Sequence, residues 1–280
     1  QSLKRSVRSL RGKKDYKYKS LPENLKYVYV ADSRSQINFY HWFIDSMVRI
    51  LAAEISTSKS MILLSEKQMN CAYVTESLEA IGIGLDRLVP MIPSELYRID
   101  NFQYVTGAIF STGACSSPGI KILRNRLVIS GVFSNSIYLA RRSSLGRKII
   151  NETVFLETLS KFGIQTIYPE DYTLMELRVM LGSTKLMISV YGAALAHLIF
   201  LPTGSCVIEI APDNFITKTP AYWGSNYQAK YAGDYYYSLA CASDVSYCII
   251  PAKARDGVSA VDSNIEIDIG LLTKTLLHII

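Results

Sequence analysis

The segment KLMISVYGAALAHLIFLPTGSCVIEIAP, residues 185–212, decides how this chain folds. An apolar run ends at Ser189 and gives way to the small residues Gly192, Ala193 and Ala194. A second apolar run follows, then a Pro/Gly turn and the strand-like SCVIEI with one acid, Glu209. A strand that passes through glycine and alanine into a helix presents unpaired N–H groups at the helix start. Those donors and the helix dipole suit an anion, and small side chains let a phosphate approach the backbone. Glu209 closes the next strand at the same sheet edge, where a carboxylate can accept hydrogen bonds from a ribose diol. Taken alone, YGAALA favours a tight turn packed with small residues, with Glu209 a solvated acid.

Outward from this point, strand-like and helix-like segments alternate over nearly the whole chain. In the first half KYVYVA (26–31), MILL (61–64), RLVPMI (87–92) and FQYVTG (102–107) read as strands. Helices are expected from Asn38 to about Ile55 and over 66–80, the latter stopping at Gly82. STGACSSPG (111–119) is the clearest composition shift and marks a domain boundary. A second series follows, with strands at SIYLA (136–140), IQTIY (164–168), KLMISV (185–190), SCVIEI (205–210) and YCII (247–250). Its helices fall at 150–161, 173–181 and 270–280, while 111–135 and 213–246 read as loops. The expected architecture is α/β, with two facing Rossmann-like parallel-sheet domains over 21–115 and 116–265. A basic arm (1–20) and a C-terminal helical segment (266–280) flank them. In such sheets ligands sit beyond the carboxyl ends of the strands.

The bulk numbers narrow the function classes. A chain of 280 residues with 49% apolar content buries a large core. The net charge is +6, yet residues 1–20 alone carry +7, so the remainder is close to neutral. That excludes a nucleic-acid-binding body, whose basic residues would stripe the fold itself. The arm suits anionic lipid headgroups or is a solvated tail. Five cysteines, Cys71, Cys115, Cys206, Cys241 and Cys248, are scattered without a C-x-x-C pair, as in a reducing compartment without structural zinc. No apolar run approaches the ~20 residues of a membrane span. The expectation is a cytoplasmic chain with peripheral contact at the inner membrane face through residues 1–20. The chain begins with Gln, so a trimmed anchor or signal stays open.

Two further blocks carry chemistry. IYLARRSSLGRKIINE (137–152) leads a strand into Arg141, Arg142, Arg147 and Lys148, before a helix with Asn151. Guanidinium groups at a strand's carboxyl end bind a diphosphate bidentately and keep their charge. A solvated basic loop is the plain alternative. NFYHWFIDSMVRI (38–50) places His41 and Asp45 four apart on one helical face, with Asn38 a turn earlier. A carboxylate that orients a histidine makes a general base. The plain alternative is a core histidine bonded to its helix neighbour.

Together the blocks NFYHWFID, YLARRSSLGRKIINE and YGAALAHLIFLPTGSCVIEIAP resemble, in order and spacing, glycosyltransferase family 61 (DUF563). The family pattern is N-Y-Y-H-W, then a strand ending in arginine with R-x-I-x-N-E, then H-G-A-x-L-x-N and a downstream E-I-x-P. The resemblance covers roughly residues 27–250. It implies a two-domain GT-B-type fold and transfer of a hexose or pentose from a nucleotide-sugar to a glycan or polysaccharide acceptor. Inversion, and no metal or other cofactor, are implied with it; the chain has no D-x-D motif. His41 would be the base, held by Asp45. Arg141, Arg147, Asn151, Tyr191, Gly192, Ala193 and Ala194 would hold the donor diphosphate, and Glu209 the ribose. The sequence departs from the pattern at Tyr191, where the family has histidine, at Ala194, and at His197, where it has asparagine. Tyrosine brings no positive charge, so either His197 and the arginines compensate or the chain is a non-catalytic glycan- or nucleotide-binding pseudoenzyme. A pyruvyl transferase of polysaccharide decoration is a further alternative on the same crevice geometry.

Overall fold

The computed structural model describes residues 18–29, 37–57, 59–92, 95–105, 115–142, 148–214, 234–255 and 263–280. Its first half runs β1 (Tyr18–Ser20), β2 (Tyr27–Tyr29), a π-helical segment His41–Met47 continued by α1 (Val48–Thr57), and β3 (Met61–Ser65). Then come α2 (Glu66–Met69), α3 (Ala72–Ala80), β4 (Leu88–Met91), β5 (Leu96–Arg98) and β6 (Phe102–Gln103). β4, β3, β2 and β6 form a parallel sheet in that order, and β1 pairs with β5 in a separate parallel ribbon. Continuous burial explains β3, whose MILLS is covered from Ile62 onward as parallel strands require. Ser65 ends it by accepting a hydrogen bond from Gln68 N while the Gln68 side chain returns to Ser65, a capping box that starts α2.

The second half holds α4 (Ser117–Leu127), β7 (Asn135–Leu139), α5 (Glu152–Lys161), β8 (Gln165–Ile167), α6 (Leu174–Leu181) and β9 (Thr184–Val190). A 3₁₀ helix (Ala193–Phe200), β10 (Cys206–Pro212), α7 (Asp234–Ala242), β11 (Ser246–Ala254), β12 (Ile265–Glu266) and α8 (Ile269–Ile279) complete it. The sheet order is β12-β11-β10-β9-β7-β8, parallel except for the antiparallel edge strand β12. Alternation along its strands divides the core. Leu186, Ile188, Ile208 and Ile210 pack outward with Phe155 and Leu159 of α5 and Leu272 and Leu276 of α8. Ile137, Leu139, Met187 and Val207 face the other way, into a core they share with Val28, Ile62 and Leu64 of the first sheet. The expected α/β fold with parallel sheets is therefore present. Among the described residues no helix is long and apolar enough to cross a membrane.

Four stretches differ from expectation. The stretch read as a loop over 111–135 contains α4, which packs against α1 and α3 of the first half and α7 and the 3₁₀ helix of the second. Ser116 caps it by accepting from Gly119 N, Pro118 sits in its first turn, and Ile120, Leu123 and Leu127 are fully buried. Gly119 is there for closeness: a Cβ would lie 2.5 Å from Val48 Cγ1. The stretch read as a loop over 213–246 contains α7, anchored by buried Tyr236, Leu239 and Ala240. Helix 66–80 is two helices broken at Asn70–Cys71. Tyr18–Ser20, placed by charge in the basic arm, form β1 in register with Leu96–Arg98.

Candidate active site

The first part of the site is the helix entry at residue 38. The Asn38 side chain accepts from His41 N at 3.2 Å and its carbonyl accepts from Trp42 N at 2.9 Å, so asparagine starts the helix. Trp42 and Phe43 are fully buried, and Trp42 Nε1 donates to Ser77 Oγ at 2.8 Å, which fixes the rotation of the segment. That rotation leaves His41 36% exposed and Asp45 18% exposed. His41 Nδ1 lies 2.6 Å from Asp45 Oδ2. The carboxylate accepts the Nδ1 proton, which leaves Nε2 as the basic nitrogen. The helix is π-wound over these residues, a geometry that recurs where function re-aims side chains.

The second part is the turn after β9. Tyr191 N donates to Ile210 O at 2.9 Å, carrying the sheet ladder one residue past the strand. Gly192 then takes φ 152° and ψ 180°, a conformation that belongs almost solely to glycine. Leu195 N donates to Gly192 O at 3.0 Å, so the N–H groups of Ala193 and Ala194 precede the first internal helical bond. Leu195 to Phe200 are buried, and the buried Arg124 guanidinium donates to Ile199 O at 2.8 Å, capping the far end. Arg141 is exposed just beyond the carboxyl end of β7, the sheet neighbour of β9. Arg142 is committed to an ion pair with Asp171 and lies over the Tyr168 ring, 5.0 Å from its centre. Arg147 lies outside the described residues.

Three expected roles change. The Asn151 amide donates to Ile267 O at 2.8 Å and accepts from Ile267 N at 3.0 Å, so its polar ends hold the chain after β12 in place of a diphosphate. Glu209 is not a solvated acid at a strand end. β10 runs on to Pro212, and Glu209 is 0% exposed on the face that also carries Val207. Tyr247 donates its hydroxyl to Oε2, while Oε1 is buried without a partner. Burial pushes the carboxyl up to about 7, with the tyrosine bond opposing. A carboxylate so enclosed does not present itself to a ribose. His197 does not supply a compensating cation. It is 4% exposed, its Nδ1 donates to Ala194 O at 2.8 Å, and burial lowers its pKa to about 4.

The two parts meet through tyrosines that sequence reasoning missed. Tyr40, 9% exposed, packs edge-to-face on Tyr235 and Tyr236 of α7, with ring centres 6.2 and 5.5 Å apart. Tyr236 packs in the same way on Tyr191, 5.8 Å away. Burial and the nearby Asp45 charge hold the Tyr40 phenol well above its usual range. Tyr40, next to His41, and Tyr191, next to Gly192, thus both pack on Tyr236. The signal was the tyrosine run at 235–237, read as part of a loop.

Residues 39–208 match the Glycosyltransferase 61 family, a span that takes in both the His41 helix and the Gly192 turn. The chain belongs to glycosyltransferase family 61. Similar relatives of this family 61 chain include a xylan glycosyltransferase of Arabidopsis thaliana, 32% identical over 81 residues, or 28% of this chain and 16% of that protein. An EGF domain-specific O-linked N-acetylglucosamine transferase of Drosophila melanogaster is 32% identical over 76 residues, or 26% of this chain and 14% of that protein. The aligned segments thus span about a sixth or less of these curated relatives.

Proposed function

We propose that this family 61 chain is an inverting GT-B-type glycosyltransferase, moving a sugar from a nucleotide-sugar to a glycan or polysaccharide acceptor. The observation that carries the reading is the His41–Asp45 pair, 2.6 Å apart and partly exposed, whose neighbour Tyr40 packs on Tyr236 as does Tyr191 beside the Gly192 turn. His41 Nε2 takes the proton of the acceptor hydroxyl as its oxygen attacks the anomeric carbon. The bond from that carbon to the diphosphate oxygen breaks in the same step, so configuration inverts. Asp45 stabilises the imidazolium that forms. Arg141, Arg147 and the backbone N–H groups of Ala193 and Ala194 neutralise the departing diphosphate, an electrostatic task that requires no metal.

The test is a donor panel on the purified chain, with nucleotide-linked pentoses, N-acetylhexosamines and phosphoenolpyruvate against xylan fragments and an EGF-domain acceptor. Product anomeric configuration is read by NMR. Inverted product supports the reading, while retained configuration, or turnover only with phosphoenolpyruvate, overturns it. Tyr191 favours one second reading, a nucleotide-binding chain that has lost chemistry, because neither tyrosine nor the neutral His197 brings positive charge to the turn. Nucleoside diphosphate binding without any donor turnover would select it.

A further inference from the structure

His197 stands among aromatic rings where the 3₁₀ helix meets the segment that carries the proposed base. Its ring stacks on Phe39, two residues before His41, with centres 4.0 Å apart and planes within 10°. Phe43 meets Phe200 edge-to-face at 5.4 Å in the same interface, and Phe39 also touches Phe43 at 4.6 Å. At its other end, His197 Nδ1 bonds Ala194 O at 2.8 Å, inside the first turn of the helix that begins at Ala193. A bond to a carbonyl requires the proton on Nδ1, which leaves Nε2 as an acceptor, buried and without a partner. A buried imidazole held in one tautomer, flat against one half and hydrogen-bonded to the other, is neither a base nor a counter-charge for the leaving group. It is a spacer with two distinct ends.

We infer that His197 is a positioning residue that couples the diphosphate-binding turn to the helix bearing His41, an inference that rests on the transferase reading. Misplacing a reacting group by about 1 Å can cost roughly a hundredfold in rate, so a rigid link between base and donor turn has direct kinetic consequences. The ring face sets where Phe39, and with it the Asn38–His41 helix start, lies against the second half. The Nδ1–H bond sets the Ala194 peptide and hence the donor turn.

Substitutions that remove one end at a time test this on the full chain. His197→Phe keeps a flat ring and loses the N–H; His197→Asn keeps a short amide donor and loses the ring. With UDP and GDP as calorimetric probes, His197→Phe should weaken diphosphate binding about tenfold with kcat within about threefold. His197→Asn should lower kcat by about tenfold or more with diphosphate affinity within about threefold. Adding Phe39→Leu to His197→Asn should lower kcat little further, because both remove the same contact. The chain has three histidines, so His41 is readily followed in long-range proton–nitrogen spectra. Its signals should shift in His197→Asn and hold in His197→Phe. Parallel losses in both kinetic constants that track melting temperature, or additive effects with Phe39→Leu, would overturn the inference. If the native chain binds neither diphosphate and turns over no donor, the transferase reading fails by itself. The His41 spectra then decide the coupling alone, and unmoved signals refute it.

Discussion

Glu209→Gln separates two buried titrations that oppose each other. In the fold Glu209 keeps its proton up to about pH 7, whereas in the unfolded chain it loses it near 4.5. The native state then binds the extra proton, so this contribution to stability is complete below pH 4.5 and lost as pH rises to 7. His197 runs the other way. It stays neutral down to about 4 in the fold and titrates near 6.5 when unfolded, so its contribution is complete above 6.5 and lost as pH falls to 4. Each displacement corresponds to about 3 kcal/mol at 1.36 kcal/mol per pKa unit, and between pH 4.5 and 6.5 the slopes cancel. Glutamine keeps a carbonyl for the Tyr247 hydroxyl but removes the carboxyl titration. The stability of the variant minus that of the native chain should therefore climb by about 3 kcal/mol from pH 4.5 to about pH 7.5. The variant itself should lose stability on acidification through His197. Equilibrium urea unfolding followed by tryptophan fluorescence across that range measures both curves, and every carboxylate the two chains share cancels in the difference. A difference curve flat to within about 0.5 kcal/mol would refute the reasoning, because Glu209 would then titrate alike folded and unfolded.

His41→Ala should lower turnover by roughly a hundredfold or more while donor affinity stays within a few-fold, the signature of a lost base, and steady-state kinetics beside calorimetry checks it. Arg141→Ala should cost about 1.5–3 kcal/mol of nucleoside diphosphate binding with little change in melting temperature; unchanged affinity removes Arg141 from the donor site. Gly192→Ala forces a side chain into a conformation that costs about 1–3 kcal/mol, so urea unfolding should show that loss together with weaker diphosphate binding. Deleting residues 1–17 should leave turnover on soluble acceptors unchanged, whereas deletion through Ser20 also removes β1 and its pairing with Leu96–Arg98; abolished turnover in the shorter deletion would place the basic segment in the site.

How far the sequence could be read depended on whether a residue's environment is made locally. The strands at 61–65, 184–190 and 206–212 are legible because continuous apolar runs bounded by turns have few other ways to be buried. The Gly192 turn is legible for the same reason, since a backbone conformation is written at its own position. Glu209 is not, and its misreading follows from another. Whether an acid on a strand is solvated depends on what lies over that face, and α7 packs over the β11 side of it, with Tyr237 against Tyr247 and Tyr247 on Glu209. Reading 213–246 as a loop removed that cover and so turned a buried carboxyl into an exposed one. Helix α7 itself was obscured because DYYYSLACA shows only a weak period, Tyr236, Leu239 and Ala240 being buried while Tyr237 is open to solvent. His197 is the extreme case. Its chemistry is fixed by a carbonyl three residues back, which periodicity can reach, and by the Phe39 ring in the other half of the chain, which it cannot. A histidine in an apolar run reads the same whether it is a base, a counter-charge or a spacer. Only the partner on its far face decides, and that partner is set by how the two sheets come to share one core.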